Sequence, residues 1–373
     1  MKTILILYSI LTLAASHIGK AQAADNNSKH IIKQNKDAYH NDAPQPLQQG
    51  AAIDSLPCMA YVYQGQKQYG LGDYNAALHD YTTALRCDSL SAWTYNSRGI
   101  VHSVLGNTQS ALADYTKAIS LDSHYASPYN NRAILYVKLG KYTEAITNYT
   151  KAISLDTHFA MAYTNRGFLK YTTGDTQGAI ADYASALQAD PMYALAYNYR
   201  AIIHTEAAEY DIAIHDYTRA IERDPTSSMF YYNRGVAKSQ AGDYAGAIAD
   251  YTQAIAFHHH YVEAYTNRGT AKYALGDTIG AIQDCDSAIQ INPTFTDAYY
   301  NRAGIALDQS DNKTAIKNLD IVLQLDPKHS QAYFNRGICK LRTGNVKGAC
   351  SDWRKAETFG YKEAKNALRQ YCK

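Results

Sequence analysis

The chain has 373 residues, with 36 lysines and arginines against 34 aspartates and glutamates, a formal net charge of +2 at neutral pH. Lys2 and Lys20 are the only charged side chains among residues 1–23, so the chain without that segment carries 34 charges of each sign. A neutral chain with no basic block has no electrostatic footprint for nucleic acid or for an anionic membrane surface, which sets both partner classes aside.

In chain order, Lys2 is followed by an apolar run from Ile4 to Ala15 and then by the small-residue site Ala21-Gln22-Ala23. That layout is a secretory signal, here residues 1–23, cut after Ala23. The run of 12 residues is too short to span a bilayer core, so no membrane insertion is expected after cleavage. No cysteine follows the run, which disfavours a lipoprotein. Residues 24–57 are polar, without helical period, and contain Pro44 and Pro46, a composition expected of a disordered leader.

From Cys58 onward one phrase recurs nine times, clearest from Tyr231 to Phe257. Aligned on Arg98, Arg132, Arg166, Arg200, Arg234, Arg268, Arg302 and Arg336, the copies are 34 residues apart, with Gln64 in the arginine position of the first. Such a period marks a stacked array of helical units, and it leaves no gap for a second domain. Numbering positions so that each arginine is in slot 7, slot 20 is alanine in every copy and slot 8 is Gly or Ala. Small residues there let two helices approach closely. Glycine in slot 15 (Gly106, Gly140, Gly242) ends the first helix in a left-handed cap. The next slot offers Asp73, Asn107, Asp175, Asp243 or Asp277 as an N-cap for the second. Slots 20, 21, 24, 27 and 28 form an apolar stripe at helical spacing, as in Ala247, Ile248, Tyr251, Ala254 and Ile255. Asp190-Pro191, Asp224-Pro225 and Asp326-Pro327 end the second helix.

An aromatic in slot 4, Gly or Ala in 8, Ala in 20, aromatic in 24, Ala in 27 and Pro in 32 resemble the tetratricopeptide repeat over residues 58–360. The resemblance implies an all-α fold, a right-handed superhelical solenoid of nine helix-turn-helix repeats with a concave groove. The last repeat departs at Trp353 and Glu357, and residues 361–373 are expected to form an amphipathic cap helix. The ending from Ala349 to Cys372 is similar to the closing repeat of exported tetratricopeptide proteins of Bacteroidetes-type bacteria.

The arginine in slot 7 recurs with Asp or Asn in slot 23, which predicts a ladder of ion pairs, within a copy or across to the next. Asparagine occupies slot 6 as Asn131, Asn165, Asn233, Asn267, Asn301 and Asn335. In the family this slot lines the groove, and a carboxamide ladder suits the backbone of an extended peptide. An asparagine belonging to the framework of the repeat is an equal alternative. Nearby slots bring Trp93, Tyr232, Tyr300 and Phe334, giving the groove apolar character. Slot 5 has no lysine in any copy, so the clamp that family members use for a C-terminal carboxylate is not expected.

Cys58 with Cys87, and Cys350 with Cys372, are candidate disulfides at the two ends of the array, with Cys339 a rival partner for Cys350 and Cys285 a buried thiol. His258, His259 and His260 are consecutive in a turn and do not converge as metal ligands. No HExxH, GxSxG, P-loop or CxxC motif occurs, so neither enzyme chemistry nor a cofactor is expected. These readings converge on a non-enzymatic scaffold binding a protein or peptide segment in the periplasm or cell envelope, or secreted. A cell-wall carbohydrate binder using groove tyrosines and asparagines is the alternative.

Overall fold

The computed structural model describes residues 56–372, and the signal and most of the leader expected from the sequence lie outside them. The described residues fall into two compact units, divided between Ile203 and His204 and built from the same repeated phrase. In the N-terminal unit the helices are α1 (Leu56–Leu71), α2 (Tyr74–Cys87), α3 (Ala92–Val104), α4 (Thr108–Leu121), α5 (Ala126–Lys138), α6 (Tyr142–Leu155), α7 (Ala160–Thr172) and α8 (Thr176–Ala189). The division falls within α9 (Ala194–Glu206). The C-terminal unit continues with α10 (Tyr210–Arg223), α11 (Ser228–Gln240), α12 (Tyr244–Phe257), α13 (Val262–Ala274), α14 (Thr278–Ile291) and α15 (Thr296–Asp308). It ends with α16 (Asn312–Leu325), α17 (Ser330–Arg342), α18 (Val346–Thr358) and α19 (Ala364–Tyr371), the last being the expected cap helix.

Each copy of the phrase is one helix pair, and within each unit the second helix also packs on the first helix of the next copy. Two slots set the spacing within a pair. A Cβ added to Gly235 would lie 2.8 Å from the Tyr251 ring, and one added to Gly99 would lie 2.6 Å from that of Tyr115, so the ring of slot 24 rests directly on the backbone of slot 8. The slot-20 alanines are sealed, with Ala77, Ala111, Ala247 and Ala315 all at 0 % exposure. Tyr81, Tyr115, Tyr149, Tyr183, Tyr217 and Tyr251 are buried above them, with Trp353 taking the same place in the last pair.

Helix ends follow the phrase with two refinements. Asp73, Asp175, Asp243, Asp277 and Asp311 each accept a backbone N–H three residues on, as N-caps. Asn107 does not, and its amide instead reaches His102 Nδ1 at 3.5 Å. The second helix stops whether or not proline follows. Asp88, Asp122 and Asp156, which have no proline after them, accept the N–H two residues on just as Asp190, Asp224 and Asp326 do. That local bond competes with helix continuation, and the helix ending at Phe257 stops at a residue of another type, His258.

Slot 15 takes positive φ throughout, from 71° at Gly140 to 96° at Gly174, and it does so even where glycine is missing, at Ala208 (59°) and Ser310 (63°). A Cβ in that region costs about 1–2 kcal/mol, more than the unfolded-state entropy that glycine adds. Ala208→Gly and Ser310→Gly are therefore expected each to raise stability by about 0.5–1 kcal/mol. Thermal and urea unfolding of the two variants check this, and Gly242→Ala should move the transition the opposite way.

Candidate functional site

The repeated arginine is held by three partners. On α11, Arg234 donates from Nε to Asp250 Oδ2 at 2.9 Å and from Nη2 to Oδ1 at 2.7 Å, a two-pronged contact with α12 of the same pair. Its Nη1 reaches back to Thr218 Oγ1 on α10 at 3.0 Å, and its guanidinium lies 5.7 Å from the centre of the Tyr231 ring, one turn earlier. Arg166, Arg268 and Arg336 repeat the pattern toward Asp182, Asp284 and Asp352. Arg132 meets Asn148 in the same slot. The ladder thus runs both ways, with the acid supplied within a copy and the bond back supplied by slot 25 of the preceding one. There Thr116 and Thr150 receive Arg132 and Arg166, and Asp286 and Asp320 receive Arg302 and Arg336.

One participant was not singled out from sequence. Lys170, Lys238, Lys272 and Lys340 in slot 11 each place Nζ 2.8–2.9 Å from the same aspartate that the arginine holds. Their recurrence at multiples of 34 residues was the available signal. Each carboxylate is nearly sealed, Asp250 being 3 % exposed, and it is compensated by two cations. In the other direction, the acid's hydrogen bonds raise the pKa of Arg98 above the ordinary arginine value. These arginines are engaged in the framework and are not presented to an anionic ligand.

The slot-6 asparagines also turn inward. Asn131 Nδ2 donates to Asn96 Oδ1 at 3.0 Å and Asn165 Nδ2 to Asn130 Oδ1 at 3.1 Å, each crossing to the first helix of the preceding pair. Asn130 in turn reaches Asn131 Oδ1 at 3.4 Å, so four amides form one buried network in the N-terminal unit. In the C-terminal unit the acceptor is a hydroxyl: Tyr232 for Asn267 (3.1 Å), Thr270 for Asn301 (3.1 Å) and Tyr300 for Asn335 (3.0 Å). Asn233 is half-buried on α11. The expected amide ladder exists, and its N–H groups join neighbouring first helices.

Slot 5 gives the two units different surfaces. Val62, Asn96, Asn130, Thr164 and Asn198 occupy it in the N-terminal unit, and all five are buried. In the C-terminal unit it holds Thr266, also buried, and brings Tyr232, Tyr300 and Phe334, each paired with a ring from the turn that follows. Tyr232 lies 4.8 Å from Tyr261, Tyr300 4.8 Å from His329, and Phe334 4.8 Å from Tyr361. Tyr232 and Phe334 keep part of their surface, whereas Tyr300 is buried. Desolvation raises the Tyr232 and Tyr300 hydroxyls well above the usual phenol range. Trp93 is half-buried, edge-on to Tyr81 at 6.2 Å. Most slot-4 tyrosines are half-buried platforms beneath the arginines, as at Tyr95, Tyr163 and Tyr265, and Tyr333 is buried.

Cys350 and Cys372 form a disulfide that ties α18 to the end of α19. Cys339, the rival partner, is a buried free thiol. The second expected bridge is not formed: Cys58 and Cys87 are free thiols. They meet side chain to side chain, and that hydrogen bond raises the Cys58 pKa above its ordinary value. His258 ends α12, with its ring 5.2 Å from Tyr261.

Models described as tetratricopeptide or TPR repeats match residues 114–147, 135–174, 164–228, 200–256, 239–276, 262–295 and 300–357. Together they span more than half of the chain. Among curated proteins, none matches. Among solved structures, the chain is similar to the APC/C hetero-tetramer Cut9–Hcn1, with a TM-score of 0.55, 16% identity, and coverage of 75% of this chain and 55% of that one. It is similar to the type IV pilus biogenesis factor PilW, with a TM-score of 0.52, 18% identity, and coverage of 57% and 98%. A third similarity is to the C-terminal part of a TPR repeat-containing protein from Cytophaga hutchinsonii, with a TM-score of 0.51, 18% identity, and coverage of 64% and 97%. At these identities the likeness is one of fold.

Removing one partner of a sealed charge pair strands the other, at a cost of about 3 kcal/mol. Arg234→Leu is therefore expected to lower stability by about that amount, and Asn335→Ala by about 1–2 kcal/mol for its lost interhelical bond. Chemical denaturation measures both. Unchanged stability in either variant would return that residue to the set of ligand contacts.

Proposed function

The chain belongs to the tetratricopeptide repeat family, a scaffold typical of protein–protein interaction, and on that premise we propose an exported, non-enzymatic scaffold whose first-helix face holds an extended protein segment. The observation that carries the proposal is the slot-5 series of the C-terminal unit. Tyr232 and Phe334 are half-buried, paired with Tyr261 and Tyr361, where the repeated polar groups are already engaged with one another. A face whose charges are internally compensated and whose accessible surface includes rings favours apolar side chains on an otherwise extended chain. The absence of lysine from slot 5 argues against anchoring by a terminal carboxylate.

Export is supported by the signal-like residues 1–23 and by the Cys350–Cys372 disulfide, which suits an oxidising compartment such as the periplasm or cell envelope. Among the described residues no helix is long and apolar enough to cross a membrane. The carbohydrate alternative rests on tyrosine abundance, and the six slot-24 tyrosines, Tyr81 to Tyr251, are sealed and outside the reach of any ligand.

A photo-crosslinking residue placed at Tyr232 or Phe334 in living cells is expected to capture one discrete protein partner. The same probe at Gln253, exposed on α12, is expected to capture none. Equal capture at all three positions would contradict the assignment of the face. Separately, Edman sequencing of the mature protein is expected to begin at Ala24, and an intact Met1 would remove the export reading.

A further inference from the structure

The charge balance of the whole chain conceals an imbalance within it. Residues 204–339 contain 17 aspartates and glutamates against 11 lysines and arginines, whereas residues 340–373 contain nine lysines and arginines against three acids. An excess of six acids is therefore followed by an excess of six cations. Both fall in the C-terminal compact unit, so the separation is built into one body.

The slot pattern shows where the acids reach the surface. Slot 16, the residue before each second helix, is Glu209, Asp243, Asp277 and Asp311 in four consecutive copies, and all four are exposed. The three aspartates cap their helices through Oδ1, which lies 2.8–3.1 Å from the backbone N–H groups of Gly246, Gly280 and Thr314. Among the described residues none of the three is held in an ion pair. In the N-terminal unit the same slot is Asp73, Asn107, Lys141 and Asp175, which makes no such row. Leu275 and Ile279, which flank Asp277 in the chain, add exposed apolar surface to the row.

The cations collect on the last two helices. Lys347 and Arg354 are two turns apart on α18, and Lys365 and Arg369 are one turn apart on α19, so each helix has a basic side. All four are exposed, and among the described residues none is in an ion pair, in contrast to Lys340, which holds Asp352. Val346 and Tyr371 are exposed on the same two helices. The apolar residues of α19, Ala364, Ala367 and Leu368, pack into the array, so this helix has no apolar side with which to enter a bilayer.

We infer that the α18–α19 end of one chain docks on the acidic turns of a second copy, in an antiparallel pair related by a twofold axis. An acidic protein or an anionic surface would attract the basic end and repel the rest of the unit, whereas a second copy reversed end for end satisfies both excesses at once. Parallel copies would set like charge against like. Twofold symmetry makes the contact twice and closes the assembly at two chains. The pairing does not rest on the segment proposal.

Sedimentation velocity and light scattering of the mature chain test it at two ionic strengths. A dimer is expected at about 0.01 M, where charges are felt over about 30 Å, and its dissociation constant should rise about tenfold or more at about 1 M, where that reach falls to about 3 Å. Lys347→Glu combined with Arg354→Glu should leave a monomer at both. Asp243→Asn, Asp277→Asn and Asp311→Asn together keep a capping side chain on each helix while removing three charges, so they should weaken the dimer about tenfold without changing the circular dichroism. Carbodiimide joins a lysine directly to a carboxylate, and in an equal mixture of isotopically light and heavy chains it is expected to link Lys347 or Lys365 of one to Asp243 or Asp277 of the other. A chain that stays monomeric at low ionic strength, a dimer indifferent to salt, a dimer that survives either set of substitutions, or links confined to single chains each overturns the inference. A monomer whose Tyr232 crosslink persists removes the pairing and leaves the scaffold. A salt-sensitive dimer without that crosslink removes the scaffold and leaves the pairing.

Discussion

Helix pairs with glycine in slot 8 and a ring in slot 24 depend on the contact between the two. Where Tyr251 lies against Gly235, an added methyl group would sit inside the van der Waals contact of the ring. That approach sets the separation at which Arg234 on one helix can fork onto Asp250 on the other, because both pairs of slots face each other across the same gap. The ring removes water from the gap, and the sealed carboxylate then requires its two cations. Packing and electrostatics are therefore one design repeated along the chain, and slot 25 of the preceding copy links each instance to the one before it.

Much of the fold was legible because a period of 34 residues averages out local ambiguity. Alanine in slot 20 means little once and a great deal nine times, and glycine in slot 15 recurs in seven of the nine copies. What was not legible was the register between neighbouring helices. Arg234 could have answered Asp250 or the acid of the next copy, and only the packed geometry shows that it holds its own acid while touching Thr218 behind it. Local rules also met competition. Asn107 has the right chemistry for an N-cap and reaches His102 instead, and the helix stop attributed to Asp-Pro also occurs where Asp122 has no proline after it. An aromatic in slot 4 does not declare its role in a sequence, and a ring one turn from an arginine serves as its platform.

The candidate site was less legible for a related reason. An asparagine ladder reads equally well as a ligand surface or as mortar between helices, since a carboxamide donates and accepts in either role. The distances from Asn131 to Asn96 and from Asn335 to Tyr300 show which atoms are engaged. That directs attention to the slots that vary, where Tyr232 and Phe334 differ from Asn96 and Asn130. Cys285 read as a buried thiol, and it is one, at 0 % exposure.

The central claim is that the repeated polar residues act between helices and not on a ligand. A double-mutant cycle on Arg234 and Asp250, each changed to leucine singly and together and followed by chemical unfolding, tests it most directly. The structure predicts strong coupling of about 2 kcal/mol or more, with the double variant recovering much of what either single change loses. Additive losses would contradict it, because they would mean that the two side chains do not stabilise the fold through one another.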